Sequence, residues 1–124
     1  MNGASVIGIM LLRLDATDGA PLHEQVAGAV RRAVAEGECA AGDRLPPARD
    51  LAAALGVNAN TVLRALRTLR DEGVLEFRRG RGVTVAVGAD RRSTLVDQVR
   101  GLVADAARLG YSRNDLIEMI RGLS

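Results

Sequence analysis

Two short apolar-periodic segments, Ala48 to Leu55 and Ala59 to Glu72, are separated only by Gly56-Val57-Asn58, and that spacing leaves the chain few ways to fold. Two helices joined by so tight a turn must cross steeply and touch near the joint. The pattern Ala52-x3-Gly56-x5-Val62 supplies what the crossing needs. Ala52 is small where the helices meet, and Gly56 permits the left-handed backbone of the turn. Val62 and Leu66 lock the later helix onto the earlier one. Asn58 is a natural N-cap, with a side-chain oxygen able to accept from free amides of the following turn.

The flanking sequence has its own punctuation. Residues 1–19 read as an N-terminal strand and loop, with Ile9 to Leu14 as the strand and Asp15 to Gly19 as the loop. Pro21 opens a helix whose Leu22, Val26, Val30, Ala33 and Val34 form one apolar stripe, with Arg31 and Arg32 beside it. Gly37 and Gly42 mark its end, and the prolines of Arg44-Leu-Pro-Pro-Ala48 reset the chain direction. Downstream, Val74 to Phe77 and Val83 to Val87 read as strands around Arg78-Arg-Gly-Arg-Gly82, a β-hairpin. A hinge-like joint follows at Gly88 to Asp90. Leu95, Val99, Leu102, Ala106 and Leu109 then repeat at heptad spacing, and Ser112 with Asp115 begins a last amphipathic helix carrying Leu116, Ile117, Ile120 and Leu123. The fold class expected is mainly α with a small β-hairpin. It is a winged helix-turn-helix over residues 20–87, followed by a short two-helix tail over residues 91–124.

Composition removes several functions. One cysteine, Cys39, and one histidine, His23, leave no disulfide framework and no zinc site, so neither a metal nor a cofactor is expected. With no Trp, one Tyr and one Phe, the chain lacks the aromatic platform on which single strands stack. The net charge of +2 is too small for coating DNA or membranes by bulk attraction. All 17 basic residues are arginine, a bias that fits a GC-rich genome, so arginine content alone says little. Its distribution says more, because six arginines and three acids fall between Asn58 and Gly82. The apolar run Val6 to Leu12 is too short to span a bilayer and follows no basic region, so no membrane partner is expected and the chain reads as cytoplasmic. No Ser/His/Asp set, phosphate loop or paired acidic motif suggests an enzyme.

With Val62 set inward, Leu66, Leu69 and Ala65 lie on the buried side of the third helix. Asn60, Arg64, Arg67 and Asp71 point outward, with Thr61 and Thr68 on one shoulder and Leu63 on the other. Asn can pair with an adenine edge, Arg with a guanine edge, and Thr with a phosphate or a thymine methyl. A solvated surface helix would carry similar residues; the adjoining cap and arginine hairpin argue for double-stranded DNA. Arg78, Arg79, Gly80 and Arg81 read as a wing that reaches phosphates or a narrow minor groove. Arg49, on the first turn of the second helix, faces either DNA phosphate or an ion pair with Asp43 or Asp50.

Several segments in fixed order resemble the DNA-binding domain of GntR-family bacterial transcription regulators: Leu22-His-Glu-Gln25, Gly42-Asp-Arg-Leu-Pro-Pro-Ala-Arg-Asp-Leu-Ala52, Leu55-Gly-Val-Asn-Ala-Asn-Thr-Val62, Leu69-Arg-Asp-Glu-Gly-Val-Leu75 and Arg79-Gly-Arg-Gly82. The short tail and Tyr111-Ser-Arg-Asn-Asp-Leu-Ile117 resemble the YtrA-like subgroup, whose two helices after the wing serve dimerisation. The resemblance implies operator contacts at Arg49, Asn58 to Thr61, Arg64 and Gly80. It also implies control of the chain's own operon, often one encoding an ABC transporter. Many relatives carry Arg where Ala59 and Leu63 stand here, so the half-site read is expected to differ. The residues expected to pair across a two-fold axis are Leu95, Val99, Leu102, Leu109, Leu116, Ile117 and Ile120. A pseudo-palindromic operator follows from a homodimer. The tail alone cannot enclose a drug-sized pocket, which leaves the subunit interface as the place for a small-molecule effector. The competing reading is a winged-helix adaptor for proteins; it would need an apolar patch where the third helix offers Asn, Thr and Arg.

Overall fold

The computed structural model describes residues 19–123, so the N-terminal strand and loop expected over residues 1–19 lie, apart from Gly19, outside the described residues. Pro21 precedes helix α1 (Leu22–Ala35), and its carbonyl accepts from the amides of Glu24 and Gln25 at 3.0 and 3.1 Å. A proline costs nothing there, because the first-turn amides have no intrahelical partner. The single stripe expected on α1 needs correction at both edges. Leu22 is exposed, while Arg31 is only 2% exposed, and burial runs unbroken from Gln25 to Arg31. The guanidinium of Arg31 tolerates this because it donates to both carboxylate oxygens of Glu72, Nε to Oε1 at 2.7 Å and Nη2 to Oε2 at 3.3 Å.

Helices α2 (Ala48–Leu55) and α3 (Ala59–Asp71) stand where the spacing predicts and pack together in one core. Gly56 ends α2 at a φ of 70°, in the left-handed region, and the Val57 amide returns to the Ala52 carbonyl at 3.1 Å. Asn58 caps α3 by accepting from the Asn60 amide at 2.7 Å. Leu51, Ala52 and Leu55 meet Val62, Ala65, Leu66 and Leu69 in one core with Val26, Val30 and Val34 of α1. Each fully buried Leu or Val there contributes roughly 1.5–3 kcal/mol relative to exposure.

Strands β1 (Leu75–Arg78) and β2 (Gly82–Val85) pair antiparallel, Leu75 opposite Val85 and Arg78 opposite Gly82. The strands thus end nearer the turn than expected, and Val87 lies outside them. The segment Gly42 to Leu45 adds a third edge to the hairpin. The Leu45 amide donates to the Val83 carbonyl at 2.9 Å, and the Val85 amide donates to the Asp43 carbonyl at 2.9 Å. Leu75, Val85 and Leu45 turn inward and close the core from this side.

Helix α4 (Ala89–Arg108) begins directly after Gly88, so the joint expected over Gly88 to Asp90 is shorter than three residues. The chain divides into two compact units between Thr94 and Leu95, which places the first turn of α4 in the first unit. Ala89 and Ser93 of that turn are buried, and the Arg92 guanidinium donates to the Glu72 carbonyl. In the second unit, α4 continues to Arg108 and α5 (Arg113–Gly122) follows. Ser112 caps α5 reciprocally: its hydroxyl accepts from the Asp115 amide at 3.1 Å, and its own amide donates to the Asp115 carboxylate at 2.8 Å. Aspartate therefore reaches far enough for a capping box, the place glutamate usually takes.

Candidate nucleic-acid interface

The outer face of α3 is polar because every third or fourth position is already spent on the core. Asn60, Arg64 and Arg67 are exposed, and Thr61 is half-buried on the shoulder. No carboxylate among the described residues pairs with Arg64 or Arg67. Their donors face solvent uncompensated, the condition for reaching base edges or phosphates. Asn58 has committed its side-chain oxygen to the cap, which leaves its amide nitrogen as the group able to donate outward. The Thr68 hydroxyl donates to the Arg64 carbonyl at 3.1 Å, within the helix.

Arg49 is exposed on the first turn of α2, and the ion pair with Asp43 or Asp50 does not form. Asp43 instead accepts from the Ala40 amide at 2.8 Å, a local turn contact.

At the hairpin the three arginines separate into two kinds. Arg78 lies in β1 and pairs with Glu76 at 2.6 Å, whereas Arg79 and Arg81 flank Gly80 in the turn and pair with no carboxylate among the described residues. The Arg81 amide donates to the Arg78 carbonyl at 3.0 Å, and Gly80 has a φ of 79°. That is a type II turn, whose third position favours glycine.

Three features of the interface escaped the sequence reading. Arg70 holds its guanidinium 4.8 Å from the centroid of the Phe77 ring, fixing the last turn of α3 to β1. The Arg31–Glu72 pair ties the end of α3 to the centre of α1. Arg44 stands on the third edge of the sheet, opposite Thr84. The helical period could have marked the buried side of α1 around Arg31; nothing local marked its partner.

Cys39 is buried, and that burial, with Asp43 and Glu38 adding repulsion, pushes its thiol up to about 11. A neutral, enclosed thiol is a poor nucleophile. The tail residues stand differently: Leu95, Val99, Leu102, Leu109, Ile117 and Ile120 are exposed, Leu116 is half-buried, and Ala106 is buried. Among the described residues, no helix is long and apolar enough to cross a membrane.

Residues 22–85 match the family described as "Bacterial regulatory proteins, gntR family". The HTH-type transcriptional repressor YtrA of Bacillus subtilis (strain 168) is 31% identical over 122 residues, covering 92% of this chain and 92% of that protein. A solved structure of YtrA from Sulfolobus acidocaldarius, a GntR-family transcription factor, is 34% identical with a TM-score of 0.60, over 74% of this chain and 97% of its own. The DNA-binding domain of AraR, solved in complex with operator ORE1, is 25% identical with a TM-score of 0.53, over 59% of this chain and 89% of its own.

Proposed function

This chain belongs to the GntR family of bacterial regulatory proteins, in its YtrA-like branch, and from that premise we propose that it is a homodimeric, sequence-specific repressor of its own operon. It is a DNA-binding transcription regulator and not an enzyme. The finer reading rests above all on one observation. The outer face of α3 presents Asn60, Arg64 and Arg67, neither arginine pairs with a carboxylate among the described residues, and the turn of the hairpin that follows carries Arg79 and Arg81. The B. subtilis relative is named a repressor, and the AraR domain was solved on its operator.

In this reading α3 enters the major groove, with Asn60, Thr61 and Arg64 at base edges and Arg67 toward the backbone. Asn58 donates its remaining amide protons, and Arg49 holds a phosphate beside the first turn of α2. Arg79 and Arg81 grip the flanking backbone, and Gly80 lets the turn approach closely. Arg78, tied to Glu76, shapes the stem and contributes less. Leu95, Val99, Leu102, Leu109, Leu116, Ile117 and Ile120 bury themselves against a second copy. Two-fold symmetry then calls for a pseudo-palindrome with half-sites about one helical turn apart. The operon controlled is one encoding an ABC transporter, as the subgroup resemblance implies. The tail holds an apolar groove of about 570 Å³ that includes Val99, Leu102, Val103, Leu116, Ile117 and Ile120, where a small-molecule effector would act through the dimer.

The test is selection of genomic fragments by the purified protein, followed by a salt titration on the enriched duplex. The expected result is an inverted repeat beside its own gene, with affinity falling steeply as salt rises. Arg64→Ala and Arg49→Ala should each cost roughly 1–3 kcal/mol where they read bases, and weaken all duplexes alike where they touch only phosphate. Equal binding to every fragment would remove sequence specificity, and no binding to any would favour a protein-interaction adaptor.

A further inference from the structure

Residues paired across a sheet point to the same face. Glu76, Thr84 and Arg44 form one such row, and Arg78 with Gly82 forms the next on the same side. The opposite side carries Leu75, Val85 and Leu45 into the core. Gly82 has no side chain, and the Arg44 guanidinium lies across that space. A Cβ on Gly82 would stand 3.4 Å from Arg44 Nε and 3.5 Å from its Nη2. Arg44 therefore runs toward the turn, into an open cleft of about 470 Å³ that Arg78, Gly80, Arg81 and Glu76 also line. Among the described residues the one carboxylate lining it belongs to Glu76, and Arg78 takes it at 2.6 Å. Arg44 and Arg81 pair with no carboxylate among the described residues.

We propose that this outer face of the sheet is a second grip on the phosphodiester backbone, in which Arg44 works with Arg81 to hold duplex DNA that flanks the half-site. The inference rests on the operator-binding reading above and extends its footprint. Guanidinium forks match phosphate oxygens in charge and geometry. The cleft is open and continuous with the turn, which suits a running strand rather than a free anion. Contacts of this kind position a protein without reading sequence. Arg44 is thus a positioning contact, and the bases are read elsewhere.

The experiment uses full-length Arg44→Ala and Arg44→Gln beside the wild type, on the duplex selected from genomic fragments and on a random duplex of equal length. Both variants should melt as the wild type does, since the side chain is exposed. Both duplexes should be weakened alike. The slope of log affinity against log salt should become shallower by about 0.9, so that the wild-type advantage shrinks about threefold between about 50 and 200 mM salt. Trimming the base pairs outside the half-sites should abolish the difference between variant and wild type. An unchanged slope, or a loss confined to the selected duplex, would overturn the inference while leaving the operator reading intact. Failure of the wild type to bind either duplex would instead overturn the operator reading itself.

Discussion

Helices α1 and α5 both carry apolar residues at helical spacing, and they end in opposite situations. α1 is buried from Gln25 to Arg31 and again at Ala33 and Val34, whereas α5 has no buried residue and leaves Ile117 and Ile120 exposed. The cause is the number of neighbours each finds within its own unit. α1 lies in a core built with α2, α3 and the sheet, so most of its circumference is covered. A unit of two helices has one internal interface, and each helix keeps an uncovered flank. Leu95 and Ile120, both 60% exposed, sit on such flanks. In the proposed dimer these flanks are what a second copy covers. The same periodicity thus gives core in one unit and, in the other, exposed apolar flanks, the surface that the proposed dimer would cover.

The largest effect should come from removing residues 95–124. Sedimentation equilibrium is expected to show complete loss of the dimer, with the winged unit still folded. A cut after residue 90 should be worse, because it also removes Arg92 and the buried Ser93. A tight dimer surviving the first cut would break the comparison outright. Next in size is Leu69→Ala, which empties part of a closed core and should cost roughly 2–5 kcal/mol of unfolding free energy in urea. Ile117→Ala should leave that unfolding midpoint unmoved at low protein concentration and weaken only the dimer. A comparable loss of winged-unit stability from Ile117→Ala would mean that the two units share one core.

Cys39 gives a smaller, pH-dependent test of how closed the winged unit is. Its thiol sits at about 11 in the folded chain, raised from an ordinary 9.0 chiefly by burial. The folded state therefore favours the neutral thiol. Its contribution is fully present below about pH 9 and is lost as pH rises toward about 11. Urea midpoints measured across that window should fall for the wild type and fall less for Cys39→Ala. Equal decline in both would show that the thiol is not enclosed.

What the sequence made legible was local. The range Ala48 to Leu55, the Asn58 cap and the inward side of α3 follow from capping chemistry and a 3.6-residue period, and the structure has them. The outward residues of the candidate site, Asn60, Arg64 and Arg67, were placed by the same period. What stayed hidden depended on partners far along the chain. Arg31 looks like a surface residue until Glu72, 41 positions later, closes on it. Arg44 becomes part of the wing only through its pairing with Thr84. Arg78 is a different case, since strand alternation already puts it on the same face as Glu76, and that signal was available. A local rule can state which way a side chain points and cannot state what has been brought to meet it.

The smallest prediction bears on where the two regions divide. Ser93 is 0% exposed, and its hydroxyl has no hydrogen-bond partner among the described residues. It is the last buried residue before the division at Thr94 and Leu95. A desolvated hydroxyl without a partner is a standing cost, and alanine removes it while favouring the helix slightly. Ser93→Ala should therefore raise the stability of the winged unit by about 1 kcal/mol, read from the urea midpoint of the protein cut after Thr94. The sign matters more than the size. A gain means that the first turn of α4 belongs energetically to the winged core, which extends the buried region one turn into the helix that leads to the tail. A loss would mean that the hydroxyl bonds to something when the protein is in solution. No change would mean that this turn frays from the core, and the energetic division would then lie before α4 rather than within it.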